Sequence, residues 1–217
     1  MVALEGFHAV KHALRFAPAL VRTVTATSLP EAGLLCQQLA PDVTEALLAL
    51  AVEGRVDHPT GVSGTARRPV PDLAVLRSRT SPLVVLDDPR HPGNVGAVVR
   101  VAAAVGASGV AVCGALDPWG ASALRGAAGL HFALPVVTCA VAEVTGPVVV
   151  LSDEGVAMTT LPSGSALVIG SERAGVSPAW RSRADLVLAL PMRPGVSSLN
   201  LATAASAALY AWRLSQA

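Results

Sequence analysis

The spacing of apolar and polar positions changes character near residue 78. Before it, Phe7, Val10 and Leu14 recur at helical spacing, while His8, Lys11, His12 and Arg15 fall at i, i+3, i+4 and i+7. The pattern predicts a first helix with one apolar and one basic side. Residues 21–26 read as a strand, 31–39 as a helix, and 44–51 as a second helix opened by Thr44 as its cap. From Val52 to Leu73 the chain is rich in Gly, Pro, Thr and Arg, which predicts a strand remnant followed by a linker.

After Ser81-Pro82 the pattern becomes regular. Residues 83–86 form an apolar run, 94–105 a helical segment and 109–113 a second apolar run, together a βαβ unit with a parallel strand pair. Further β-like runs lie at 148–151, 166–169 and 186–190, with a helix expected over 121–131. An Ala-rich helix over 199–214 carries Leu201, Ala205, Leu209 and Trp212 toward the core. The expectation is an α/β protein of two domains, a small α/β unit over residues 1–78 and a parallel-sheet unit over 79–217.

Composition sharpens this picture in a few places. Apolar residues make up 52% of the 217 positions. The longest apolar stretch, 101–116, is nonetheless broken by Gly106, Ser108, Gly109 and Gly114 and is too short to span a bilayer. The charged residues Glu5, His8, Lys11, His12 and Arg15 argue against a secretory leader, so the cytoplasm is the expected compartment. Cys36, Cys113 and Cys139 are odd in number and far apart, which predicts reduced thiols and neither a disulfide framework nor a metal site. The net charge of +1 does not announce a nucleic-acid binder, and the basic side of the first helix reads either as a solvated surface or as a stripe facing a phosphate-bearing partner.

Three segments carry the chemistry: Pro92-Gly93-Asn94-Val95-Gly96 running to Arg100, Gly170-Ser171-Glu172, and Leu190-Pro191-Met192 running to Ser198-Leu199-Asn200. Each lies where an apolar run gives way to a loop or helix, the place where open α/β sheets bind ligands. On the residues alone, Asn94 and Ser198 read as helix caps, Glu172 as an ion-pair partner of Arg173 or another arginine, and Arg100 as a guanidinium among apolar neighbours in need of a partner. Gly170, lacking a Cβ, allows a ligand close to the backbone.

As a set, in this order and near this spacing, the segments resemble the three motifs of the SpoU (TrmH) family of RNA ribose 2′-O-methyltransferases. The resemblance implies a C-terminal trefoil knot and an N-terminal domain similar to a ribosomal protein, the latter echoed by Gly6-Phe7-His8-Ala9-Val10. It implies methyl transfer from S-adenosylmethionine to a ribose 2′-OH of rRNA or tRNA, without a metal, by a homodimer packed through the knotted region and the C-terminal helix. Arg100, Asn94, Glu172, Ser198 and Asn200 would be catalytic, with Arg100 clamping the target phosphate in one pocket with the donor. Gly170, Leu190, Leu199, Ile169, Met192 and Ser152 would surround the donor. The chain departs from the motifs in having His91 before the proline, Ala127 where relatives carry Ser, and Gly195 displaced by one position. Two alternatives remain: an RNA-binding protein that keeps the fold without methyl transfer, and a dinucleotide-binding oxidoreductase suggested by Gly93 and Gly96.

Overall fold

The computed structural model describes residues 1–196 and 198–216. A four-stranded sheet takes up the first part of the chain: β1 (Val2–Glu5), β2 (Val21–Ala26), β3 (Ala51–Glu53) and β4 (Val62–Ala66), in the order β1-β4-β2-β3. Helices α1 (Phe7–Phe16), α2 (Leu29–Leu39) and α3 (Thr44–Leu50) connect them. The β4 strand pairs antiparallel with both β1 and β2, at the centre of what the sequence presented as a linker. Gly64 explains the miss: a Cβ there would stand 2.5 Å from the Thr23 carbonyl oxygen, so a residue that reads as a chain breaker is what the strand pairing requires. Thr44 is the first residue of α3 and makes no capping bond, contrary to expectation, whereas the Ser28 hydroxyl caps α2 by accepting from the Glu31 amide at 3.4 Å.

The second sheet has six strands, all parallel, in the order β10-β8-β9-β5-β6-β7. Its elements are β5 (Leu83–Asp87), α4 (Pro92–Val105), β6 (Gly109–Cys113), α5 (Ala121–Gly126), β7 (Val136–Thr138), β8 (Val148–Ala157), β9 (Ala166–Gly170), α6 (Pro178–Arg181), β10 (Leu186–Ala189) and α7 (Leu201–Leu214). Apart from Asp87 at the end of β5, the strands β5, β6 and β9 carry no polar side chain, because both faces are covered. Val84, Leu86, Val112 and Leu167 face α4 and α7, whereas Leu83, Val85, Ala111 and Val168 face Trp180 of α6 and the turn holding Val75 and Leu76.

The helix expected over 121–131 stops at Gly126. Ala128 and Gly129 then adopt positive φ, and a short 3-10 turn over Leu130–Phe132 follows. This turn receives α1: a Cβ on Gly129 would stand 2.8 Å from the Ala9 Cα, and Ala128 offers its carbonyl to His12 Nδ1 at 2.7 Å. Arg125 pairs with Glu5 at 2.8 Å across the same junction. Beyond Leu151, β8 continues to Ala157, with a register jump opposite β10 that pushes 151–155 outward. Among the described residues no helix is long and apolar enough to cross a membrane.

Candidate active site

Parallel strands leave their carboxyl ends on one edge of the sheet, where the following loops enclose a ligand site. Here the outward-pushed segment of β8, the loops after β9 and β10, and the approach to α7 surround a cavity of 340 Å³. That volume falls at the small end of the range for small-molecule sites, about 300–1,000 Å³. Ser152, Ile169, Gly170, Leu190, Met192 and Leu199 line it, as do Glu172 and Ser198. Its walls mix apolar side chains with the polar and charged Asp153, Ser171, Arg173 and Arg181.

Gly170 has a role that differs from the one its sequence suggested. A Cβ there would fall 2.0 Å from the Gly175 carbonyl carbon and 2.2 Å from the Val176 nitrogen. The missing side chain lets the chain's own 171–175 turn fold back, closed by a bridge between Ser171 and Gly175, and that turn forms one wall of the cavity. Asp87, buried at the end of β5, accepts from the Ser177 amide at 2.7 Å and holds the far end of the same loop.

A polar chain leads away from the cavity at Glu172, which lines it, to Asn94 and Asn200, which lie outside its lining. Asn94 Nδ2 donates to Glu172 Oε1 at 2.6 Å, the Arg90 amide donates to Glu172 Oε2 at 3.5 Å, and Asn200 Nδ2 donates to Asn94 Oδ1 at 3.3 Å. Glu172 thus pairs with an amide rather than the expected arginine. Burial works upward on its pKa, but hydrogen bonds from Asn94 and from backbone amides, together with nearby His91, outweigh burial and hold the carboxyl below its ordinary value. The group is therefore a carboxylate at neutral pH.

The capping roles also move. Helix α4 starts at Pro92 with His91 as its N-cap, so Asn94 lies within the first turn and its side chain is free to reach Glu172. Asn200, not Ser198, caps α7, accepting from the amides of Ala202 at 2.9 Å and Thr203 at 3.3 Å. One oxygen serves the helix while the Nδ2 of the same side chain reaches across to Asn94.

Arg100 does not share this cavity. It is exposed, lines no part of the site, and among the described residues forms no ion pair. Helical geometry accounts for this: six positions past Asn94 amount to roughly 240° around the axis, a different face. Its charge instead reaches His8 and Lys11 on α1, whose pKa values are lowered first by burial and then by surrounding cations, Arg100 among them.

The basic side of α1 is divided in the same way. His12 is half-buried against Ala128, and burial lowers its pKa. Arg15 is engaged by Asp42 through a two-pronged pair. His8 and Lys11 remain beside Arg100, so the four residues do not form one outward stripe.

The run Leu151-Ser152-Asp153, placed near the donor by the resemblance, lines the cavity, whereas sequence reading missed Arg173 and Arg181 in its wall. Arg181 is tied back by Val176 O at 3.1 Å and Glu154 at 2.9 Å. Their signal was only the density of charge beside the second motif. The pair Gly93 and Gly96 is not a phosphate cradle. A Cβ on Gly96 would stand 2.2 Å from the Ala123 carbonyl oxygen, so this glycine permits α4 to lie against α5, while at Gly93 nothing is within 4 Å. Ala127 is buried in that same contact.

Residues 81–210 match the family model described as the SpoU rRNA Methylase family. The chain is 30% identical over 227 residues to the Bacillus subtilis 23S rRNA (guanosine(2553)-2′-O)-methyltransferase RlmP, covering 95% of this chain and 86% of that protein. It is 35% identical over 190 residues to the Streptomyces viridochromogenes 23S rRNA (uridine(2479)-2′-O)-methyltransferase, covering 79% and 64% of the respective lengths. The crystal structure of the SpoU methyltransferase AviRb from Streptomyces viridochromogenes, in complex with AdoMet, superposes with a TM-score of 0.79 at 26% identity, covering 99% of this chain and 90% of that one.

Proposed function

The chain belongs to the SpoU rRNA methylase family, and on that premise we propose that it transfers a methyl group from S-adenosylmethionine to a ribose 2′-OH of ribosomal RNA. The observation that carries this reading is the polar chain Glu172–Asn94–Asn200, anchored by Glu172 in the wall of a cavity built from β8 and the segments that follow β9 and β10. Ribosomal rather than transfer RNA is favoured because the Bacillus subtilis and Streptomyces viridochromogenes relatives are named for 23S rRNA.

The cavity residues suit the donor: Ile169, Leu190, Met192 and Leu199 offer apolar walls for a purine, and the folded 171–175 turn supplies backbone polar groups. S-adenosylmethionine, when bound, supplies an electrophilic methyl on a sulfonium centre. The protein's task is then positioning and exclusion of water. Glu172, held as a carboxylate, orients the Asn94 amide, and Asn94 in turn fixes Asn200, which leaves Ser198 and Asn200 at the rim where a ribose would enter. A guanidinium remains protonated, so Arg100 serves as a clamp on the target phosphate, and a phosphate oxygen of the substrate receives the hydroxyl proton.

Because Arg100 lies on the face of α4 turned away from its own cavity, we assign it to the site of a second subunit, in a homodimer packed through the C-terminal helix. Exposed apolar side chains on and near that helix, Tyr210, Leu214 and Val196, support such packing. The resemblance supports a trefoil knot in the C-terminal third, and the parallel placement of β10 beside β8 with α7 returning to α4 is compatible with it. Residues 1–78 would act as an RNA-presenting domain through His8 and Lys11, with the cytoplasm as the compartment.

The test is incubation of the protein with labelled S-adenosylmethionine and unmodified ribosomal RNA, followed by mapping of alkali-resistant linkages. One labelled ribose is expected. RNA binding with saturating donor and no label would favour the non-catalytic alternative.

A further inference from the structure

The C-terminal edge of the second sheet carries a feature that methyl transfer does not use. Cys113 ends β6, and Cys139 follows the end of β7, the neighbouring parallel strand. Both are free thiols, and their sulfur atoms stand 3.2 Å apart. The Cys139 amide donates to the Val112 carbonyl at 3.1 Å, which continues the strand pairing past Thr138 and fixes the two residues side by side. Cys113 is buried and Cys139 is partly exposed, so the pair has one solvent-reachable member and one sheltered member.

We propose that Cys113 and Cys139 form an oxidisable dithiol, a modification site in which Cys139 is attacked by a hydroperoxide and Cys113 resolves it to a disulfide. The electron pair of the Cys139 thiolate attacks one peroxide oxygen. The O–O bond breaks, hydroxide leaves and a sulfenic acid forms. The Cys113 sulfur then attacks the Cys139 sulfur, the S–S bond forms as the S–O bond breaks, and the departing hydroxide takes the Cys113 proton as water. Two electrons pass from the thiols to the peroxide.

The direction follows from local chemistry as well as exposure. The hydrogen bond shared by the two sulfur atoms, in which either can donate, raises the pKa of Cys113, with burial adding to the effect, and lowers that of Cys139. The carboxylates of Asp87 and Glu143 face Cys113 and oppose its ionisation, with Glu143 acting against Cys139 as well. Cys36 provides an internal contrast: it is buried, burial raises its pKa, and it hands its proton to the Ala40 carbonyl at 3.5 Å with no second thiol nearby. Closing the bond brings the two sulfur atoms together by about 1 Å.

The experiment uses the full chain, reduced, exposed to hydrogen peroxide and then alkylated under denaturing conditions. The expected product is about 2 Da lighter before alkylation, retains one alkylatable thiol, Cys36, and yields a linked peptide joining Cys113 to Cys139 that dithiothreitol releases. In Cys113→Ser the sulfenic acid at Cys139 persists and is trapped by dimedone, while in Cys139→Ser the remaining thiols stay unmodified. Retention of all three thiols, addition of oxygen at Cys139 without a Cys113 link in the wild-type protein, or a link involving Cys36 would each overturn the proposal. The readout is mass alone and does not depend on methyl transfer.

Discussion

The Asn94 side-chain amide reaches the Glu172 carboxylate at 2.6 Å and joins the first turn of α4 to the loop after β9 across 78 positions of sequence. Removing that acceptor by Glu172→Ala leaves Asn94 Nδ2 and the Arg90 amide without their partner. Hydrogen bonds to charged groups contribute about 1.5–3 kcal/mol, so single-turnover methyl transfer should fall roughly 10- to 100-fold. Glu172→Gln, which keeps an acceptor but not the charge, should fall between this variant and wild type. A Glu172→Ala rate equal to that of wild type would show that the bond is incidental to the reaction.

Arg100 separates stability from activity. Its side chain is exposed and unpaired among the described residues, so Arg100→Ala should change the unfolding midpoint little, within about 0.5 kcal/mol, as surface substitutions do. Methyl transfer should nevertheless collapse. Mixing Arg100→Ala subunits with Glu172→Ala subunits should restore part of the activity, because one site in each mixed dimer then has both groups. No recovery after verified subunit exchange would place Arg100 in its own subunit's site.

Two glycines in the motif segments should behave in opposite ways. Gly170→Ala puts a methyl group into the Gly175–Val176 backbone, and forced overpacking of this kind costs about 1–3 kcal/mol. The 171–175 turn should open and binding of S-adenosylhomocysteine, read by calorimetry, should weaken with it. Gly93→Ala meets nothing within 4 Å and should leave both stability and binding near wild type.

His131 should give stability a recognisable pH dependence. Its ring is buried, Nε2 donates to the Pro118 carbonyl at 2.8 Å, and burial pushes its pKa down to about 4 from 6.5. The unfolded chain takes up the proton first, so this group costs nothing above pH 6.5 and stability is lost progressively as pH falls from there toward 4. The loss is on the order of 3 kcal/mol when complete. Urea midpoints for wild type and His131→Gln between neutral and mildly acidic pH should diverge in slope across that window. Parallel curves would mean that His131 is solvated.

Lys11, the α1 cation beside Arg100, should differ from Arg15, which is engaged elsewhere. Lys11→Ala should weaken RNA binding across sequences and reduce the salt slope by about one, the mark of one lost phosphate contact. Arg15→Ala, which removes a partner of Asp42, should alter the slope less.

Local pattern was enough to mark β2 and β6 at their observed ends and to locate β5, β9, α4 and α7 within two residues, because strands covered on both faces and helices with a continuous apolar side announce themselves through composition and period. It also singled out the three segments whose order and spacing resemble the family. What lay beyond it were relationships between distant positions. Gly64 looks like a break until the backbone it admits is present, Arg100 and Asn94 look like one motif until the turn of α4 sets them on different faces, and the basic side of α1 looks continuous until His12 docks on Ala128. Period and propensity are short-range quantities, whereas strand order, close approach and the meeting of Asn94, Glu172 and Asn200 are consequences of packing, and only the folded chain decides them.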